Sequence, residues 1–261
     1  MVTLLKLGGS LITDKRSVAN YRTEVMDRLA QEIRQALDQA QQFPLIIGHG
    51  SGSFGHQEAK KFNTIAGVSS PDEWRGFASV ATVAAELNYL VAKSLMRAGL
   101  PVFRIQPSAS AEATGGVIQT MALGPIIVSL AHGIIPLVYG DVVIDKELGG
   151  TIISTETIFA YLVHHLDVKR ILLLGEVPGV MDHEQRIIER IDSTNISEIE
   201  HVLRGSDGVD VTGGMITKVR DMLRLASLRK DMEIQILSGA EPGLLTSTLL
   251  GHSNPGTAIY G

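Results

Sequence analysis

Apolar residues along the chain follow two alternating patterns. Compact runs rich in Val, Ile and Leu occupy 2–7, 44–48, 101–106, 134–139, 170–174 and 233–237, with the length and composition of buried strands. Between them, apolar positions recur every three or four residues. Val25, Leu29, Ile33 and Leu37 mark one helical face. Trp74, Phe77, Ala81, Ala84, Leu87, Val91 and Leu95 mark a longer one over 72–98. Met215, Val219, Met222, Leu223 and Ala226 mark a third over 215–230. Strands alternating with helices predict an α/β protein, a mostly parallel sheet covered by helices on both faces. No repeat, low-complexity tract or linker interrupts the pattern. Any division into lobes is therefore expected inside one continuous sheet, near 160–170.

Composition narrows the class. The chain has 261 residues, 44% of them hydrophobic and 20% charged, enough for one large domain or two closely packed lobes. Net charge is −5 and no basic tract is present, which argues against a nucleic-acid surface. The absence of cysteine excludes disulfides, thiolate metal sites and cysteine nucleophiles. The opening MVTLLKLGGS is too short to span a bilayer or form a signal-peptide core, so a soluble, cytoplasmic protein is expected.

The candidate chemistry lies in three glycine-rich turns. They are Lys6-Leu7-Gly8-Gly9-Ser10, His49-Gly50-Ser51-Gly52-Ser53-Phe54-Gly55-His56 and Thr212-Gly213-Gly214-Met215, the last opening a helix that carries Lys218. Such turns bring backbone N–H groups close to an anion. The second contains a formal G-x-G-x-x-G, but the acids some 20 positions on, Asp72 and Glu73, head a helical pattern instead of ending a strand. A dinucleotide site is therefore disfavoured. A Gly-Lys dipeptide is absent, as are His-Arg-Asp and Asp-Phe-Gly, which removes the P-loop and the protein kinases. What remains is glycine loops with Lys6, Lys15 and Lys218. That inventory suits phosphoryl transfer, where catalysis is chiefly positioning and charge neutralisation. Lys6 is the telling member, because an unpaired ammonium inside an apolar strand is costly.

Taken in order, KLGGS with Asp14-Lys15, the loop ending Phe54-Gly55-His56, Gln106-Pro107-Ser108, YGDVVID at 139–145 and the Asp210–Lys218 segment resemble the amino-acid kinase superfamily. Within it, the likeness is to the isopentenyl phosphate kinase family. The resemblance implies an open αβα sandwich, usually a homodimer, with an acceptor lobe over 1–165 and a nucleotide lobe over 166–261. It implies transfer of the γ-phosphoryl group of ATP to isopentenyl phosphate, with Mg²⁺ held through the ATP phosphates and by no dedicated protein site. Lys6 would hold β/γ-phosphate oxygens and Lys15 would stabilise the transferring group, with Asp141 orienting both. Gly8, Gly9, Ser10, Gly52, Glu176, Gly213 and Lys218 would form the ATP site. His56 would bind the acceptor phosphate beside Ser51, Gly55 and Thr155, with Phe77 and Val80 walling the hydrocarbon tail.

Three stretches depart from the family pattern. Gly50-Ser51-Gly52 replaces a glycine triplet, Ser154-Thr155-Glu156 replaces Ser-Gly-Asp, and Gly175-Glu176-Val177-Pro178-Gly179-Val180 replaces Thr-Asp-Val-Asp-Gly-Val. Two other functions fit the same residues. One is a fosfomycin-type kinase with a small polar acceptor pocket, the other a non-catalytic anion- or nucleotide-binding protein. His49 is expected to be structural, a strand-end histidine satisfied by backbone.

Overall fold

The computed structural model describes residues 1–14, 19–40, 43–204, 214–229 and 231–261. β1 (Val2–Leu7) lies inside an eight-stranded sheet, with parallel neighbours β2 (Leu45–His49) and β9 (Val168–Gly175). Beyond β2 come β6 (Ile135–Tyr139) and the edge strand β3 (Val102–Arg104). Beyond β9 come β11 (Glu233–Ser238), then β12 (Thr257–Ile259) and β10 (Arg190–Ile191). Each of the six apolar runs holds a strand of this sheet. β3 is shorter than its run because it pairs on one side only, leaving Phe103 and Arg104 exposed.

Alternation along β1 separates two cores. Leu5 and Leu7 pack with α2 (Thr23–Gln39), α4 (Pro71–Arg97) and α9 (Leu244–Leu249). Leu4 packs on the opposite face, with α6 (Thr155–His165) and α8 (Gly214–Ser227). The chain leaves β1 for β2 on one side and later returns to β9 on the other. β1 is thus a topological switch point, and ligands of open α/β sheets bind beyond the carboxyl ends of strands at such points.

The long helix α4 starts where Ser70-Pro71-Asp72-Glu73 forms a capping box, the Glu73 carboxylate taking the Ser70 N–H at 2.8 Å. Its buried face differs from the expected one. Gly76, Val80, Ala84, Leu87, Asn88, Val91 and Leu95 are inside, whereas Trp74 is 38% exposed.

A second sheet, absent from the sequence reading, orders β5 (Val117–Met121), β4 (Ala111–Thr114), β7 (Asp141–Asp145) and β8 (Gly149–Ile153). One carboxylate ties its turns together. Asp145 accepts the N–H groups of Gly115, Gly116, Glu147 and Leu148 at 2.7–3.0 Å. This sheet matters because β7 begins with Asp141 and β8 runs directly into α6.

Candidate active site

Lys6 shares the face of Leu4, and at the carboxyl end of β1 its side chain reaches past the core. There the ammonium pairs with Glu156, in the first turn of α6. Burial alone would raise the Glu156 pKa. The Lys6 charge and hydrogen bond, with Lys218 on α8, hold it below the ordinary carboxylate value. Glu156 therefore stays ionised and links a cation of β1 to one of α8.

Around this pair lies a cavity of about 710 Å³. The first turn of α1 (Gly9–Ile12) supplies Gly9 and Ser10, the start of α3 (Gly52–Phe62) supplies Ser51 and Gly52, and the start of α6 supplies Ser154, Thr155 and Glu156. Helix starts leave N–H groups unpaired and carry partial positive charge. Several meeting beside a lysine make a site for densely charged anions. The opposite wall is apolar, built by Ala59 of α3, Ile65, Val80 and Ala84 of α4, and Ile152 of β8. One cavity thus joins a cationic floor to a hydrocarbon wall.

The bare backbone has a second purpose besides anion access. A Cβ on Gly9 would stand 2.5 Å from the Gly52 nitrogen, and Gly52 itself has φ +50°. The two loops pack backbone to backbone. Thr13 pins them, donating its hydroxyl to the Gly9 carbonyl at 2.7 Å and accepting the Ser53 N–H at 2.9 Å.

The structure brings Lys6, Gly9, Ser10, Ser51, Gly52, Gly55, Val80, Asp141 and Thr155 to this cavity. Lys218 approaches through Glu156. Lys15 and Gly213 lie outside the described residues, as does the side chain of His56.

Several expectations need correction. Phe77 is not part of the cavity wall: its ring meets Trp74 edge-on and presses on Gly150, and Val80, one turn later, takes its place. Gly8 faces the Leu174 carbonyl, where a Cβ would stand 2.6 Å away, because it packs on β9. Glu176 bonds Arg22 at 2.7 Å on the surface. The Thr155 hydroxyl is committed to the His49 carbonyl at 2.6 Å. Asp141 accepts the N–H groups of Ser108 and Val142 at 3.1 and 2.8 Å, and burial pushes its pKa up. The carboxylate that bonds Lys6 is Glu156, one of the departures from the family pattern. Its partnership joins residues 150 positions apart, so no local signal announces it.

The family model described as "Amino acid kinase family" matches residues 1–238. The chain belongs to the amino acid kinase family. Isopentenyl phosphate kinase of Methanocaldococcus jannaschii is 36% identical over 231 residues, 86% of this chain and 87% of that protein. The Methanothermobacter thermautotrophicus isopentenyl phosphate kinase is 34% identical over 99% of this chain and 98% of its own length. An X-ray structure of isopentenyl phosphate kinase superposes with a TM-score of 0.82 at 31% identity, covering 99% of this chain and all of the other. These place the chain, within the amino acid kinase family, among the isopentenyl phosphate kinases.

Proposed function

We propose that this protein transfers the γ-phosphoryl group of ATP to isopentenyl phosphate, giving isopentenyl diphosphate and ADP for isoprenoid biosynthesis. The observation that carries the proposal is the cavity itself, in which Lys6 and converging helix starts face an apolar wall. A phosphate monoester with a short hydrocarbon tail matches both halves. A polar phosphonate such as fosfomycin would leave the apolar wall unsatisfied. The retention of Lys6, Lys15, His56 and Lys218 together speaks against a binding-only role.

In this reading an acceptor phosphate oxygen attacks the γ-phosphorus and the bond to the ADP oxygen breaks. The acceptor's second ionisation lies near about 6, so its oxygen needs no general base. The two carboxylates that line the cavity among the described residues fit that economy, since Glu156 is paired and Asp141 is tied to backbone N–H groups. Lys6 and Lys15 stabilise charge on the transferring group, and His56 holds the acceptor phosphate with Ser51 and Gly55. Gly9, Ser10 and Gly52 supply donors to ATP, while Gly213 and Lys218 join the nucleotide site by family resemblance. The acceptor lobe is 1–165 and the nucleotide lobe 166–261.

Among the described residues no three metal-ligating side chains assemble into one group. By family resemblance, Mg²⁺ is assigned to the ATP phosphates, where it neutralises phosphate charge. Among the described residues no helix is long and apolar enough to cross a membrane.

The deciding assay gives purified protein ATP and Mg²⁺ with isopentenyl phosphate, longer prenyl phosphates and fosfomycin in parallel. Isopentenyl phosphate is expected to give the highest kcat/KM. Preference for fosfomycin would transfer the protein to the rival kinase class, and no turnover with any acceptor would favour the binding-only class.

We also assign a homodimer to the free edge of the large sheet. Tyr89, Met96 and Phe103 are about half exposed there, around a groove between α4 and β3, and among the described residues no strand pairs with the outer side of β3. Phe103→Asp should convert the dimer to monomers in light-scattering chromatography. An unchanged mass would remove this edge from the interface.

A further inference from the structure

Asn88 is a fully buried amide on the core face of α4, and His49 is a buried imidazole at the end of β2. Their bonds determine each other. Arg104 donates Nε–H to Asn88 Oδ1 at 2.6 Å, and a guanidinium has donors only, so this atom of Asn88 must be its oxygen. The Asn88 amide nitrogen then lies 3.1 Å from His49 Nε2 and donates to it. With Nε2 accepting, the proton of the neutral ring sits on Nδ1. Nδ1 lies 3.0 Å from the Gly50 carbonyl and donates to it. Burial, followed by the Arg104 and Lys6 charges, pushes the His49 pKa down to about 4 against the opposing Gly50 bond, so the ring is neutral near pH 7.

The same residue holds two further walls of the cavity. Its carbonyl accepts the Thr155 hydroxyl at 2.6 Å and the Gly140 N–H at 3.1 Å, and its ring stacks on Tyr139 at 5.6 Å between centroids. Gly140, Thr155 and Gly50 all line the cavity, whereas His49 is 1% exposed behind them.

We infer that His49 is a positioning residue for phosphoryl transfer, its Nδ1–H tautomer fixed through Asn88 and Arg104 so that the Gly50–Ser51 peptide keeps one orientation. A trans peptide points its C=O and N–H in opposite directions. Holding the Gly50 oxygen on His49 therefore turns the Ser51 N–H away from the ring, toward the cavity that Ser51 lines. Among the described residues no acceptor takes that N–H. It is left for a phosphate oxygen. Gly50 is conformationally free on its own, so without the imidazole bond the peptide can rotate and withdraw its donor.

This inference rests on the kinase reading only for its activity test. Histidine ¹⁵N spectra of the wild-type protein decide the tautomer independently: a neutral His49 protonated on Nδ1 at pH 7 is expected, and an Nε2–H or cationic ring overturns the relay. For the activity arm, His49→Phe keeps a stacking ring without donors. His49→Asn places an amide N–H where Nδ1 was, and His49→Gln reaches only toward Asn88. Once wild-type turnover is established, His49→Phe and His49→Gln should lower kcat at least about tenfold, while His49→Asn stays within about threefold of wild type. Thermal unfolding of all three separates positioning from folding. Equal losses in His49→Asn and His49→Phe at equal stability would overturn the proposal, as would full activity of His49→Phe. Absence of turnover in the wild type counts against the kinase reading and leaves the spectra to judge the relay.

Discussion

Replacing Lys6 by Met is expected to lower kcat at least about a hundredfold, the scale seen when one preorganised charge donor is lost from a transfer site. The side chain stands where helix starts converge, so the proposed transfer places its charge beside oxygens of the transferring group. The substitution should also destabilise the fold, because it leaves the Glu156 carboxylate without its closest cation. Adding Glu156→Gln separates the two effects. The double variant should recover thermal stability and remain as slow as Lys6→Met. Recovery of turnover in the double variant would mean that Lys6 serves only to neutralise Glu156, and would take it out of the chemistry.

The second large effect is expected at Gly9. A Cβ there meets the Gly52 nitrogen at 2.5 Å, the Gly52 Cα at 2.7 Å and the Gly50 carbonyl carbon at 3.3 Å. All three are backbone atoms, which cannot rotate aside as a flexible side chain would. Gly9→Ala should therefore part the two loops, costing about 1–3 kcal/mol of stability. Their donors would separate as well, lowering kcat/KM at least about tenfold. Gly124→Ala is the matched control, since nothing lies within 4 Å of its added Cβ and it starts an exposed turn of α5 (Gly124–Ala131). It should leave both melting temperature and kinetics nearly unchanged. If Gly9→Ala behaves like Gly124→Ala, the contact between the loops does not matter to the site.

Both experiments concern contacts between distant segments, and this divides what could be read early from what could not. Six strands of the larger sheet were foreseeable because the inner ones are covered on both faces and so appear as continuous apolar runs, whereas the short β10 and β12 were not. The four-stranded sheet was hidden. AEAT buries only Ala111 and Ala113 and VIQTM only Ile118 and Met121, and their pairing depends on the Asp145 carboxylate collecting N–H groups from two separate turns. Lys6 announced itself as a charge within an apolar strand, whereas its partner Glu156 resembled an ordinary acid at a helix start. Only the docking of α6 against β1 made the two a pair.

The long helix shows the same boundary at the scale of one turn. Its three- and four-residue spacing located the element, yet Phe77 and Val80 both satisfy that spacing. Which of them meets the cavity depends on the rotation of α4 against α3 and β8, and packing chose Val80. Likewise, the strand-end position made His49 look structural, and its bond to the Gly50 carbonyl agrees. Its connection to Asn88 and Arg104 arises across three elements with no shared local pattern. Local sequence by itself determined the strands of the apolar runs, the long helices, the glycine loops and the partly buried cation of β1, because burial and chain geometry constrain each residue beside its neighbours. The tertiary structure alone decided which carboxylate meets that cation, which side chains wall the cavity and how the loops lock together, because those depend on distances between segments that the chain order does not set.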